Sequence, residues 1–164
     1  GGMCEKCLGH CNKCNTATEC TECKDGAYFN PLDDTCYYAC PEGHWMYGDA
    51  DIGRECRPCN SNASHFNCLN LTYATQCVGD NKYLTPTGTC SGTCPDGYYP
   101  QRGISINSSN QLVGGTCEAC LGHCNKCTSA LICTECKDSA YHNPLEMTCF
   151  YDCPEGYYMS GIPE

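Results

Sequence analysis

Twenty-two of the 164 residues are cysteine, and no other property of the chain limits its fold so tightly. This density exceeds the roughly 8–10% at which a short chain reads as a disulfide scaffold. Cytosolic thiols are kept reduced, so the chain is expected to be secreted or displayed on an extracellular surface. The side chains of a conventional core are scarce: Leu, Ile, Val and Phe together make 19 of 164 residues. A chain this poor in them is either disordered or held by covalent links, and the cysteines select the second. The expected fold class is small and disulfide-rich: an elongated tandem array of cysteine-rich modules, built of short β-fingers and turns with little helix.

The formal charge is −10 and no basic run is present. That balance argues against nucleic acid and anionic lipid, both of which are bound through clusters of Lys and Arg. No stretch of about 18 apolar residues occurs, so no direct membrane span is expected. The chain starts at Gly1 without a signal peptide and reads as a mature or internal piece.

An internal repeat organises the chain. Residues 1–48 and 114–161 are identical at about two thirds of their positions, with an offset of 113. All eight cysteines superimpose: Cys4, Cys7, Cys11, Cys14, Cys20, Cys23, Cys36 and Cys40 recur as Cys117, Cys120, Cys124, Cys127, Cys133, Cys136, Cys149 and Cys153. Between them lies a leaner module with Cys56, Cys59, Cys68, Cys77, Cys90 and Cys94. It opens with the same Cys-x-x-Cys and ends with the same spacing and a Cys-Pro-Asp-Gly-Tyr-Tyr run at 94–99. The domains are therefore module A (1–55), module B (56–116) and module A′ (117–164). The arrangement reads as a window onto a longer ABAB array.

The string C-x3-C-x2-C-x5-C-x2-C-x12-C-x3-C-P, from Cys7 to Pro41 and again from Cys120 to Pro154, resembles the furin-like cysteine-rich repeats of growth-factor receptors. It is also similar to protist cysteine-rich surface antigens, such as Giardia variant surface proteins and ciliate immobilisation antigens. The furin-like pattern implies two crossing bridges followed by single-bridge fingers. Carried onto this sequence it implies Cys7–Cys14, Cys11–Cys20, Cys23–Cys36 and Cys40–Cys56. Module B departs from the pattern, lacking two of the crossing cysteines, and there the resemblance is read as implying Cys59–Cys68, Cys77–Cys90 and Cys94–Cys117. Module A′ then takes Cys120–Cys127, Cys124–Cys133 and Cys136–Cys149. Sequence alone leaves other connectivities open. Cys4 and Cys153 are left over, one at each end. They are expected to pair with further repeats of a longer array or with neighbouring chains.

Asp25-Gly26 and Asp96-Gly97 read as hairpin-type turns. Tyrosines recur beside the last cysteines of each module and are expected to pack on disulfides as a substitute core. Three Asn-x-Ser/Thr sequons, Asn62, Asn70 and Asn107, all lie in module B and are expected to carry N-linked glycans. Ser105–Asn110 is expected to be the most flexible loop.

Zinc is the serious rival for the sulfurs, because Cys4-x-x-Cys7, Cys11-x-x-Cys14 and nearby His10 have ligand-like spacing. The chain carries more cysteines than such sites need, so no metal or other cofactor is expected. Redox catalysis needs one activated Cys-x-x-Cys pair. Here the motif recurs throughout, so it reads as skeletal. The acidic run Asp49–Glu55 lacks the ligand spacing of a calcium loop. No catalytic Ser/His/Asp or Cys/His set stands out, and no enzymatic activity is expected. The expectation is a structural extracellular protein, a glycosylated rod of a coat, stalk or fibre whose partners are copies of itself. The alternative is a receptor or adhesin ectodomain or a variable surface antigen.

Overall fold

The structure, a computed structural model, describes residues 2–61, 64–103, 105–107 and 110–161. These residues form short β-strands and turns around ten disulfides, a small disulfide-rich β fold. The chain divides into two compact units, Gly1–Gln76 and Cys77–Glu164.

In the first unit, β1 (Cys11–Cys14) and β2 (Cys20–Cys23) form an antiparallel pair with shifts in register. β3 (Tyr28–Asn30) and β4 (Thr35–Tyr37) form the following finger. β5 (His44–Tyr47) and β6 (Glu55–Pro58) complete a sheet of order β4-β3-β6-β5. β7 (His65–Cys68) pairs with β8 (Ala74–Cys77), whose last residue opens the second unit. There β9 (Tyr83–Leu84), β10 (Cys90–Ser91), β11 (Tyr98–Gln101) and β12 (Gly115–Ala119) build a sheet of order β10-β9-β12-β11. β13 (Cys124–Ser129) pairs with β14 (Ile132–Cys136), and β15 (Tyr141–Asn143) with β16 (Thr148–Phe150).

Sulfur fills the interior. Eleven of the sixteen buried hydrophobic residues described are cysteines, and three of the remainder are Ala27, Ala74 and Ala140. In module A, Cys11, Cys20, Cys36 and Ala27 cluster, and Cys124, Cys133, Cys136, Cys149 and Ala140 do the same in A′. Within each cluster two bridges touch: Cys20 Sγ lies 3.2 Å from Cys36 Sγ, and Cys133 Sγ lies 3.2 Å from Cys149 Sγ. Neither sulfur of either pair carries a hydrogen, so this is van der Waals packing of bridge on bridge. A leucine core is replaced by stacked disulfides, as composition requires.

The tyrosines divide. Tyr83 is buried, whereas Tyr38, Tyr151, Tyr157 and Tyr158 are exposed. Tyr38 stacks on His10 at 4.3 Å between ring centroids, and Tyr151 on His123 at 4.1 Å. The histidines that recur in Leu-Gly-His-Cys thus pack, with rings tilted by 46° and 43°, against the tyrosines two residues before the last cysteines of modules A and A′. The Asp-Gly sites differ from expectation as well. Gly26 and Gly97 adopt φ +82° in turns closed by Ala27 N–H to Lys24 O (3.0 Å) and Tyr98 N–H to Pro95 O (3.1 Å). The strands they join, β2 to β3 and β10 to β11, do not pair with each other. They are links between fingers, with positive φ at the third turn residue.

The finger turns show where the two copies diverge. In module A, Asp33 accepts hydrogen bonds from Thr35 N–H (3.1 Å), Thr35 Oγ1 (2.7 Å) and Tyr37 Oη (2.7 Å). Burial pushes the Asp33 carboxyl up, but hydrogen bonds from Thr35, Tyr37 and Asn30 outweigh it and hold its pKa below the ordinary value. In A′ the same position is Glu146, and Asn143 Nδ2 and Thr148 Oγ1 are buried without partners among the described residues. A depressed carboxylate pKa stabilises the fold above the unfolded-state value, and that contribution is lost as pH falls through the lowered one. Acid should therefore loosen the β3–β4 turn. An NMR pH titration following the Thr35 amide checks this, and an amide that does not respond below the ordinary carboxylate range would contradict it.

Candidate functional site

The chain's recurring structural act is to seat the opening strand of one module between two strands of the module before it. At the first junction β6 is that strand. It runs parallel to β3, with Phe29 opposite Glu55, and antiparallel to β5, with His44 opposite Pro58 and Met46 opposite Cys56. Phe29 N–H donates to Arg54 O (3.0 Å) and Cys59 N–H to Gly43 O (2.7 Å). Cys40–Cys56 locks the strand in place, and Cys56 is fully buried. Arg54 reaches Asp25 at 3.4 Å. Arg57 lies 3.3 Å over the Tyr47 ring and pairs with Glu55 at 2.8 Å, a cation–π contact at the sheet surface.

The second junction repeats the arrangement with β12 between β9 and β11. Tyr83 stands opposite Gly115, Leu84 opposite Thr116 and Pro100 opposite Cys117. Cys120 N–H donates to Gly97 O (2.8 Å), and Cys94–Cys117 is the lock. The inserted strand keeps the register of the first junction: Leu84 faces both Cys90 and Thr116, as Phe29 faces both Cys36 and Glu55. Gly115 takes the place of Arg54, and a Cβ there would lie 1.9 Å from Gln101 O and 2.9 Å from Tyr83 Cδ1.

Parallel pairing of residues 26 apart at one junction and 32 at the other leaves no local periodic signal, and sequence reasoning missed it. The available sign was the recurrence of a short polar strand ending in Cys-x-x-Cys after each Cys-Pro-x-Gly turn.

The bridges closed are Cys7–Cys14, Cys11–Cys20, Cys23–Cys36, Cys40–Cys56, Cys59–Cys68, Cys77–Cys90, Cys94–Cys117, Cys120–Cys127, Cys124–Cys133 and Cys136–Cys149. These are the pairs that the furin-like resemblance implies. Cys4 and Cys153 are free; Cys4 is exposed and Cys153 half-buried. Three cysteine trios lie close enough to suggest metal ligation, Cys20/Cys23/Cys36, Cys120/Cys124/Cys127 and Cys124/Cys133/Cys149. Every member is in a bridge, so none offers the thiolate a metal would need. Asp49 Oδ1 accepts the N–H groups of Asp51 and Ile52 (2.9 and 3.2 Å), which makes it a turn cap.

Ion pairs decorate the β1–β2 and β13–β14 pairs identically. Glu22 takes Lys13 and Asn12, and Glu135 takes Lys126 (2.6 Å) and Asn125 (2.7 Å). The lysine hydrogen bond is the main reason both glutamates sit below the ordinary pKa.

Of the sequons, Asn62 lies outside the described residues. Asn70 is exposed in the β7–β8 loop, and its Oδ1 accepts from Thr72 N–H, Thr72 Oγ1 and Tyr73 N–H, each at 2.9 Å. Asn107 is half-buried and engaged at both ends of its amide, donating to Gln111 Oε1 (3.1 Å) and accepting from Gln111 N–H (2.7 Å). Of the Ser105–Asn110 loop, Ser108 and Ser109 lie outside the described residues.

Serial strand insertion with a disulfide at every joint defines a tandem cysteine-rich repeat. No protein-family model matches the chain. It is 27% identical over 96% of its length to cysteine repeat modular protein 2 of Tetrahymena thermophila. It is 29% identical over 85% of its length to the human extracellular matrix organizing protein FRAS1, and 29% over 83% to the major surface-labeled trophozoite antigen 417 of Giardia intestinalis. It spans 7%, 3% and 24% of those proteins. These likenesses support reading the modules as similar to cysteine-rich repeats of the furin-like kind. Disulfides at this density persist in oxidising settings such as the cell exterior, and the names of two of the three relatives say as much of those proteins.

Proposed function

We propose that the chain is a non-catalytic structural protein of the cell exterior. Its modules form a serial scaffold in a coat, stalk or fibre, with copies of itself as neighbours. The observation that carries this reading is the repetition of one junction device, strand insertion plus bridge, at both module boundaries. Contacts of that kind propagate from neighbour to neighbour, as in other repeat arrays. The similarity to a matrix-organising protein and a surface antigen supports the same setting. Electron microscopy of native material tests it: filaments or a continuous coat with a regular repeat are expected, and dispersed monomeric particles would refute it.

A surface-antigen role is the second reading. It is favoured by one of the two clusters of differences between the copies, at 15–19 in the exposed loop between β1 and β2; the other, at 44–47, lies in β5.

On either reading module B carries the sugar. Asn70 presents its amide from a turn held by the sequon's own threonine, whereas the amide of Asn107 is occupied. Glycopeptide mapping should find Asn70 more fully occupied than Asn107, and the reverse order would contradict this geometry.

A further inference from the structure

We propose that β15 and the extended segment Tyr157–Ser160 form an acceptor groove for an incoming strand of the kind that opens module B, here Arg54–Pro58. Cys153 closes a disulfide onto that strand's cysteine. As the way an array would grow, the proposal rests on the scaffold reading above.

The argument is one of internal precedent. β15 stands 113 residues from β3 and shares its Tyr-x-Asn-Pro-Leu sequence. Tyr157–Ser160 corresponds to β5, and Cys153 to Cys40. At the first junction β3 and β5 hold β6 between them. At the third, β15 pairs with β16 alone among the described residues, and Tyr157–Ser160 is unpaired, with Tyr158 85% exposed. Between them lies a groove of about 440 Å³ whose lining includes Tyr141, His142, Asn143, Cys153 and Tyr157. An open strand edge flanked by a free thiol is where a strand adds by main-chain hydrogen bonds.

The groove also selects its occupant. β15 pairs with β16 in the register of β3 with β4, His142 opposite Cys149 as Phe29 is opposite Cys36. In that register the donor residue two before the cysteine is Arg54, held by Asp25, and Asp138 stands exposed in the place of Asp25. The other donor type has glycine there, Gly115 at the second junction. The segment Gly2–Lys6 around the free Cys4 likewise offers Gly2 at that place and Glu5 at the place of Arg57. The basic module-B strand therefore complements the acidic rim, and the module-A strand does not. Joining the two thiols removes two electrons and two protons, which a low-molecular-mass disulfide takes up by thiol–disulfide exchange.

The test uses the full chain with its ten bridges closed. The probe is a peptide of residues 51–61, with serine in place of the second cysteine and the first held as a mixed disulfide with thionitrobenzoate. Attack by the Cys153 thiolate on the peptide sulfur forms the new bridge and releases thionitrobenzoate, which is read by absorbance. In a C4S variant, capture should be about tenfold faster than for a scrambled peptide or a likewise activated peptide of residues 1–9, because seating precedes exchange. The His142 amide should become protected from hydrogen exchange, as the Phe29 N–H is held by Arg54 O. D138N should lower the preference about threefold, the range of one exposed ion pair. Equal rates for the three peptides, or capture in the parent chain as fast at Cys4 as at Cys153, would overturn the groove. Filaments in native material without peptide preference would remove the groove and leave the scaffold reading. Selective capture with dispersed native particles would do the opposite.

Discussion

Replacing Cys124 and Cys133 together by alanine should lower the unfolding free energy of the second unit by about 3–4 kcal/mol. Loop closure over that separation of 9 residues accounts for about 2.7 kcal/mol in the chain-entropy treatment. The remainder is packing, since both sulfurs are buried and Cys133 rests against the neighbouring bridge at Cys149. The control is the Cys120–Cys127 bridge, which spans 7 residues and joins half-buried cysteines. Its loss should cost closer to 2.5 kcal/mol, the closure value alone. Domain stabilities run to about 5–15 kcal/mol, so either loss is large, and the difference between them isolates the contribution of stacked sulfur. Urea unfolding of the two double variants without reductant makes the comparison. Equal midpoints would mean that the bridges act on the unfolded chain only, and that the sulfur cluster adds nothing to the native state.

The Gly115→Val variant should lose the second junction while the fingers on either side remain closed. The added Cβ meets Gln101 O and the Tyr83 ring at distances no real side chain tolerates. β12 must therefore leave β11 or β9, at a cost of about 3 kcal/mol, the upper end for overpacking. With the strand displaced, Cys117 no longer faces Cys94, and thiol-reactive labelling should find both. The matched substitution at the first junction, Arg54→Val, should leave Cys40–Cys56 closed, because that place already holds a side chain, the one that reaches Asp25. If Gly115→Val folds with all ten bridges intact, the close approach of Gln101 and Tyr83 to Gly115 is wrong.

The glycine at that place also marks what the sequence could and could not tell. The cysteine spacing carried the module order, whereas the bridges came only from what the furin-like resemblance implies, since spacing by itself leaves other connectivities open. Strand pairing left no comparable trace. β6 and β12 have no apolar alternation, since they are held by a bridge and by main-chain hydrogen bonds instead of a buried face. Nothing local says that Gly115 is needed for space while the equivalent position takes Arg54. The Asp-Gly pairs misled for a related reason: φ above zero is legible in a dipeptide, but whether the flanking strands pair is decided by the bridges around them. The His10–Tyr38 stack joins residues 28 apart and became visible only once Cys11–Cys20 and Cys23–Cys36 folded the chain back.

Two bridges in van der Waals contact occupy the place where a globule would hide hydrocarbon. Warming a protein strengthens and then weakens its hold in proportion to the greasy area it hides, and that area sets the curvature of stability with temperature. Little such area is hidden here. The molecule should keep nearly the same margin of stability in cold water as in warm, and its failure should be chemical, at the sulfurs, before it is thermal.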